Sequence, residues 1–238
     1  MISSLAIVAF AALIHASFQL SVSMLTLLSG HAIGAKTKHA RLLRLTSGFV
    51  CGVTVMTMLL LTFSAFLLQH FFGSHVPLLA WAVCCGLLLG LGVAVWAFYY
   101  RKEKGTSLWL PRGFARYLSD RTKSTKQTAE AFGLGLSSVI AELLFILAPV
   151  LISALVLIRL EPLWQLVGIA LYTVVSLLSL IIVNGLIGSG HKLSRIQKWR
   201  EDNKRFLQFV AGSGLIVLGF YVYVDQVMSV TALAYGGN

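Results

Sequence analysis

Two ionisable residues lie deep within apolar stretches of this chain, His15 and Glu142. Titratable groups at bilayer depth are costly, and they face a partner or a water-filled cavity. Polar residues recur around each at helical spacing. His15, Gln19, Ser23 and Thr26 share one face of a helix, and Ser138, Glu142 and Pro149 share a face of another. Pro149 removes a backbone donor, which leaves a carbonyl without its usual partner inside the helix. In lipid that carbonyl has to be covered by protein or by water in a cavity. A helix broken beside a carboxyl group is the architecture of an ion or substrate site in a secondary transporter. The expected chemistry is proton exchange, with a proton moving on and off Glu142 to drive alternating access. The simpler expectation is a hydrogen bond between helices, with His15 bonded to a neighbour and Glu142 kept protonated.

Further polar residues extend these candidates. Tyr172, Ser176, Ser179 and Asn184 fall in one apolar segment, and Thr54 and Thr57 in another. Each also has a structural use, because Ser and Thr in membrane helices bond their own backbone or a neighbouring helix. Asp225 and Glu130 sit near the ends of apolar runs, where charge is inexpensive, and no role is assigned to them.

The elements that position these residues follow from composition. Of 238 residues, 58% are hydrophobic and 11% charged, against roughly 25% charged in a soluble domain. That excludes a soluble globular protein, a disordered chain and, despite a net charge of +11, a nucleic-acid binder. Six apolar runs cover about 3–29, 45–71, 77–100, 129–158, 161–187 and 206–228. Each has the length of a membrane-spanning helix, and helix is required because a lone strand leaves its backbone unpaired in lipid. The residues Met1 to Ser4 carry no Lys or Arg, so the first run is expected to be a retained span rather than a signal peptide.

Charge then sets orientation. Lys36, Lys38, Arg41 and Arg44 follow the first span, and the loop after the third carries eight cations, from Arg101 to Lys126. Six more, from Lys192 to Arg205, follow the fifth, so only Arg159 among the 19 basic residues lies elsewhere. With six spans these three connections share one side, which the positive-inside rule makes cytoplasmic. Both termini then face outward. The basic side faces anionic lipid headgroups, and short amphipathic pieces around Trp109–Tyr117 and Leu193–Trp199 are expected to lie on that leaflet.

The fold class expected is an all-α integral membrane protein with six transmembrane helices, forming one polytopic domain over 1–238. The halves, about 1–100 and 129–238, are joined by the basic cytoplasmic loop 101–128. Three spans per half is the arithmetic of a 3+3 inverted repeat. The sequence offers little more for it: Ala9-Phe10 aligns with Ala131-Phe132, and Leu25 with Leu147. Gly86 and Gly90 in the third span, and Gly212, Gly214 and Gly219 in the sixth, are expected at close helix contacts.

Other chemistries find little support. Cys51, Cys84 and Cys85 lie in apolar stretches without disulfide or metal-ligand spacing, and are expected to be small buried residues. Ser29-Gly30-His31 and Ser189-Gly190-His191 repeat a tripeptide, but two histidines make an incomplete zinc site. Gly212-Ser213-Gly214 is not the Gly-x-Ser-Gly of an intramembrane serine protease. The chain contains no phosphate-binding loop. No catalytic residue, metal or cofactor is therefore expected, and the chain is not read as an enzyme.

In layout the chain resembles the lysine exporter superfamily, which includes the thiol-redox transmembrane proteins of cytochrome c biogenesis. The segments that carry the resemblance are Ala9-Phe10-Ala11-Ala12-Leu13, Ala131-Phe132-Gly133-Leu134-Gly135, Trp199-Arg200 through Phe206, Gly212-Ser213-Gly214-Leu215 and Leu218-Gly219. The departures limit what carries over. The redox members have a Cys in spans 1 and 4, and here neither span has one. The metal exporters use acidic residues in several spans, and here only Glu142 is mid-membrane. The amino-acid exporters have a Pro-rich motif in span 1, which here has no Pro. The resemblance implies a small inverted-repeat transporter with an unspecified substrate. The expected function is secondary transport, export of a small solute, in a cell membrane and most simply the bacterial cytoplasmic membrane. The alternative is a non-transporting scaffold or accessory subunit of a larger membrane assembly. Expected partners are the anionic bilayer, the solute and, as one arrangement open to it, further copies of the chain.

Overall fold

The computed structural model describes residues 2–18, 39–73, 75–99, 124–189 and 202–228, with residues 23, 25, 26, 28, 117, 118, 120–122, 198 and 199 between them. Among the described residues the chain is helical and contains no strand. The helices are α1 (Ile2–Ser17), α2 (His39–Phe72), α3 (Leu78–Ala94), α4 (Thr128–Leu157), α5 (Pro162–Ser176), α6 (Leu178–Gly188) and α7 (Lys204–Val222). π-Helical turns extend α3 over Val95–Tyr99 and α7 over Tyr223–Met228.

Four of these units, Ala40–Phe72, Leu78–Phe98, Thr128–Leu157 and Arg205–Met228, are long and apolar enough to cross a membrane. The pair α5–α6 makes a fifth if its two pieces form one span, bent by 51° at Leu177. The surface supports the same conclusion: Leu79, Leu163, Leu166, Phe63, Phe66 and Phe206 are exposed, whereas His15 and Glu142 are buried. This inversion of the soluble pattern belongs to a multi-pass membrane protein.

Helix starts follow local rules. Pro162 occupies the first turn of α5, where its missing N–H has no helical partner to lose. At the start of α4 the backbone N–H groups of Lys126 and Gln127 donate to Glu130 Oε2 at 2.7 and 3.2 Å. Glu130 therefore has a structural role that the sequence did not assign.

The two ends of the bundle are identifiable. At one end short turns join α2 to α3 and α4 to α5, and Arg159 lies 5.7 Å over the Trp81 ring while bonding Gln226. At the other, Arg41 Nη2 donates to Lys126 O at 3.1 Å, Gly188 meets Leu43 and Trp96 stacks on Phe209 with ring centroids 5.7 Å apart. Arg41, Arg44, Arg121, Lys126, Lys198 and Arg205 gather at that second, basic end.

Helix α4 is the centre. It is 72% buried over its apolar window, against 22% for α2. The pair α2–α4 is the most extensive contact. It is made by glycine: a Cβ on Gly52 would strike the Phe132 carbonyl, and one on Gly135 would strike the Phe49 carbonyl. The Cα atom of Gly52 lies only 3.1 Å from the Cβ position of Gly135. Helix α1 packs on α4, α5 and α7, and α3 packs on α7 and α4.

Three expectations are corrected here. Pro149 does not break its helix, since α4 runs unbroken from Thr128 to Leu157. The interruption lies instead in the fifth span, between α5 and α6. Gly86 and Gly90 have nothing within 4 Å of a Cβ position, and the small residues of α3 that pack are represented by Gly92, which faces Gly212 and Ile216 of α7. Cys51 is exposed on α2, whereas Cys84 and Cys85 are buried as expected. By contrast Gly212, Gly214 and Gly219 all meet neighbouring helices, as the sequence suggested.

Candidate functional site

Helix α1 delivers His15 to the core in its last turn and then stops. Ser17 Oγ turns back to Ile14 O, Phe18 is no longer helical, and helical residues recur at Ser23. The polar stripe expected through His15 and Ser23 therefore does not run along one continuous helix. Ser23 lies beyond the interruption, where its carbonyl accepts from Thr26 Oγ1 at 2.8 Å. Gln19 lies outside the described residues, as do the tripeptide histidines, the loop 101–116 and most of the second amphipathic piece.

Helices α5 and α6 bend at the same level. Thr173 Oγ1 bonds Ile169 O at 2.8 Å, and Ser176 Oγ bonds Thr173 O at 3.1 Å. Hydroxyls that bond back onto the preceding turn compete with the helical ladder and bend helices. Two such groups lie in the turn before Leu177, as others do in the unbroken α2 and α4, so they favour the bend without by themselves fixing it. Ser179, just past it, donates instead to α1, with its Oγ 2.9 Å from Ala16 O. The hydroxyl thereby satisfies a carbonyl left open by the end of α1. The two interruptions are thus tied together.

Between them lies a buried polar triad. His15 Nδ1 is 3.1 Å from Tyr172 OH, and His15 Nε2 is 4.0 Å from Glu142 Oε2. Side-chain exposures of 6% for His15 and 4% for Glu142 exclude a simple solvated pair. A cavity of about 20 Å³ adjoins the triad, lined by His15, Phe18, Val53, Glu142, Ser176 and Ser179 among others. That is room for about one water molecule. The polar residues on its wall are His15, Glu142, Ser176 and Ser179. Phe18 caps the cavity and stacks on Phe145 with ring centroids 5.3 Å apart.

The structure brings together five of the sequence candidates, His15, Glu142, Tyr172, Ser176 and Ser179. Ser138, one turn from Glu142 and fully buried, bonds Gly135 O at 2.8 Å and does not line the cavity. Pro149 lies two turns away toward the Arg159 end, where its carbonyl accepts from Ser153 Oγ at 2.8 Å. Asn184 lies on α6, also off the cavity wall. Sequence reasoning missed Phe18, Val53 and the break at Leu177. A signal for the break existed in the density of hydroxyls through Thr173, Ser176 and Ser179, but neither Gly nor Pro marks the position. Among the described residues no group of three or more His, Cys, Asp or Glu is placed to hold a metal.

Compared with protein-family models, curated proteins and solved structures, the chain matches none.

Proposed function

We propose that the chain is a small secondary transporter in which His15 and Glu142 exchange a proton at the level where two spans are interrupted. The observation that carries this reading is the coincidence of three features at one depth. A buried imidazole–carboxyl pair, a cavity of about one water, and breaks in both α1 and α5–α6 all lie together. Discontinuous helices at the midplane supply polar backbone where an ion or substrate binds. A purely structural hydrogen bond needs neither the breaks nor the cavity.

The reading includes six spans. α1 and the helical residues after its interruption make the first, and α5 with α6 the fifth. Both termini then lie opposite the basic, cytoplasmic end. The packing supports a 3+3 inverted repeat. Exchanging spans one with four, two with five and three with six turns the α2–α4 contact into the α5–α1 contact. The same exchange turns α1–α7 into α4–α3, and leaves α1–α4, α3–α7 and the α2 contact with α5 and α6 unchanged. The α4–α5 contact across their short turn has no counterpart among the described pairs. This layout fits the lysine exporter superfamily resemblance and points to solute export across a bacterial cytoplasmic membrane.

The test is an unbiased export comparison. Cells express wild type or Glu142→Gln at matched membrane levels, and solutes inside and outside are profiled. The expected result is at least one solute expelled by wild type and retained with the variant. Identical profiles, with both proteins folded and abundant, would count against transport and for an accessory subunit.

A further inference from the structure

Three buried oxygens lack a hydrogen-bond partner among the described residues: Thr57 Oγ1, Asn184 Oδ1 and Gln208 Oε1. Buried polar atoms in native proteins are satisfied by protein or by ordered water, and lipid offers neither. In depth they fall on one side of the molecule, although Gln208 is on α7, which packs on α1 and α3, while Asn184 and Thr57 are on the contacting pair α6 and α2. Val53 lines the cavity, and Thr57 lies one turn further along α2, at the depth of Glu142. Val53 and Leu180 share the cavity wall, and Gly188 meets Leu43. Asn184, halfway between Leu180 and Gly188, therefore lies between the cavity and the basic end. Gln208 is in the second turn of α7, near the same end. From Glu142 the unmet oxygens run only toward the cations.

The opposite half is different. Val8, Ala11, Val150, Ile152 and Leu155 are buried and apolar, and the hydroxyl in that half of α4, Ser153, is already bonded to Pro149 O. In that half of α1 and α4, Ser153 is the one buried side chain among the described residues that could bond a water file, and the nearest hydroxyls of α5, Tyr172 and Thr173, are bonded to His15 and Ile169 O.

We propose that water enters from the basic end, where Gln208 lies, and reaches Glu142 past Asn184 and Thr57, while the Arg159 end forms a dry seal. Proton access in this conformation is one-sided. The inference deepens the transport reading by giving its site a direction, and takes its purpose from that reading, but hydration is measurable without any solute.

The experiment uses the full chain in sealed vesicles of known orientation, in a background lacking Cys51, Cys84 and Cys85. Single cysteines replace Asn184, Gln208 or Ile152, and a charged, membrane-impermeant thiosulfonate is applied from one side at a time. An exposed cysteine at Arg121 marks the basic side. Asn184→Cys and Gln208→Cys should react from the basic side at least tenfold faster than Ile152→Cys from either side. Equal rates at all three positions, or faster reaction of Asn184→Cys from the opposite side, would overturn the proposal. A second measurement on the unsubstituted chain guards against variants that do not fold. A water-soluble carbodiimide added on the basic side should modify Glu142, located by peptide mass, and should fail to do so from the other side. Modification from the Arg159 side alone, or from neither side, overturns the one-sided path. One-sided labelling with no solute exported sinks the transport reading and leaves the water path standing. Loss of export in Glu142→Gln without one-sided labelling does the reverse.

Discussion

The pair α2–α4 and the pair formed by α1 with α5–α6 occupy the same bundle and are built in opposite ways. Helices α2 and α4 run for 34 and 30 residues without interruption. Their backbones approach through Gly48, Gly52 and Gly135. Without a hydrophobic drive between helices in lipid, such close approach is what holds helices together. Helices α1 and α5 are about half as long, 16 and 15 residues. Both end at the cavity, and what joins them there is side-chain hydrogen bonding from Ser179 and Tyr172. One pair is a continuous, closely packed frame, and the other is interrupted, with polar side chains beside the breaks. Glu142 belongs to the frame and His15 to the interrupted pair, so the 4.0 Å gap between them spans the boundary.

The comparison breaks most directly at the frame. Gly52→Val puts branched carbons where the Phe132 carbonyl lies. A backbone carbonyl cannot rotate away as a side chain can, so the helices must separate. Overpacking in cores costs about 1–3 kcal/mol, and the effect here is expected at or above the top of that range. Thermal unfolding in detergent should show a large loss of stability or no folded protein. A variant as stable as wild type would show that α2 and α4 do not meet through Gly52.

Much of this frame was legible from the sequence. Continuous apolar runs of spanning length define α2, α3, α4 and α7, because hydropathy and the need to pair the backbone in lipid act locally. The titratable residues were legible too, since His15 and Glu142 stand out against apolar neighbours. What was not legible was which helix would break. Pro149 carried the expected signal, yet α4 stays whole, with Pro149 itself buried among neighbouring helices. The actual break at Leu177 lies beside hydroxyls that bond backward and beside the Ser179 donation to a carbonyl on α1, 163 residues distant. Such a contact is a property of tertiary packing and leaves no local signature. Tyr172 was visible as a candidate, but its pairing with His15 across 157 residues was not.

Two smaller changes probe the interrupted pair. Ser179→Ala removes the donor to Ala16 O and leaves a buried acceptor unmet, at a cost of about 1–3 kcal/mol and at the low end if the cavity water replaces it. Tyr172→Phe removes one hydrogen bond between helices, for which membrane double-mutant cycles average about 0.6 kcal/mol. Stability in detergent measures both, and Ser179→Ala should be the larger. If Tyr172→Phe were the more damaging, the link between the two interruptions would run through His15 rather than through the α1 backbone.

The smallest expected effect is the most discriminating for the frame. Gly86 and Gly92 lie on the same helix, six residues apart, and the sequence pointed to Gly86, with Gly90, as the packing glycine. A Cβ at Gly92 would sit 2.7 Å from Ile216 Cγ1 and 3.0 Å from Gly212 O, whereas one at Gly86 meets nothing within 4 Å. Gly86→Ala should therefore leave stability unchanged to within about 0.5 kcal/mol, or raise it slightly as alanine restrains the unfolded chain. Gly92→Ala should weaken the α3–α7 contact and lower the unfolding temperature. A damaging Gly86→Ala beside a tolerated Gly92→Ala would mean that α3 presents its other face to α7. The frame would then have to be rebuilt around the Gly86–Gly90 spacing that the sequence suggests. Equal damage at both positions would instead place a second surface against the outer side of α3, one supplied from outside the described helices.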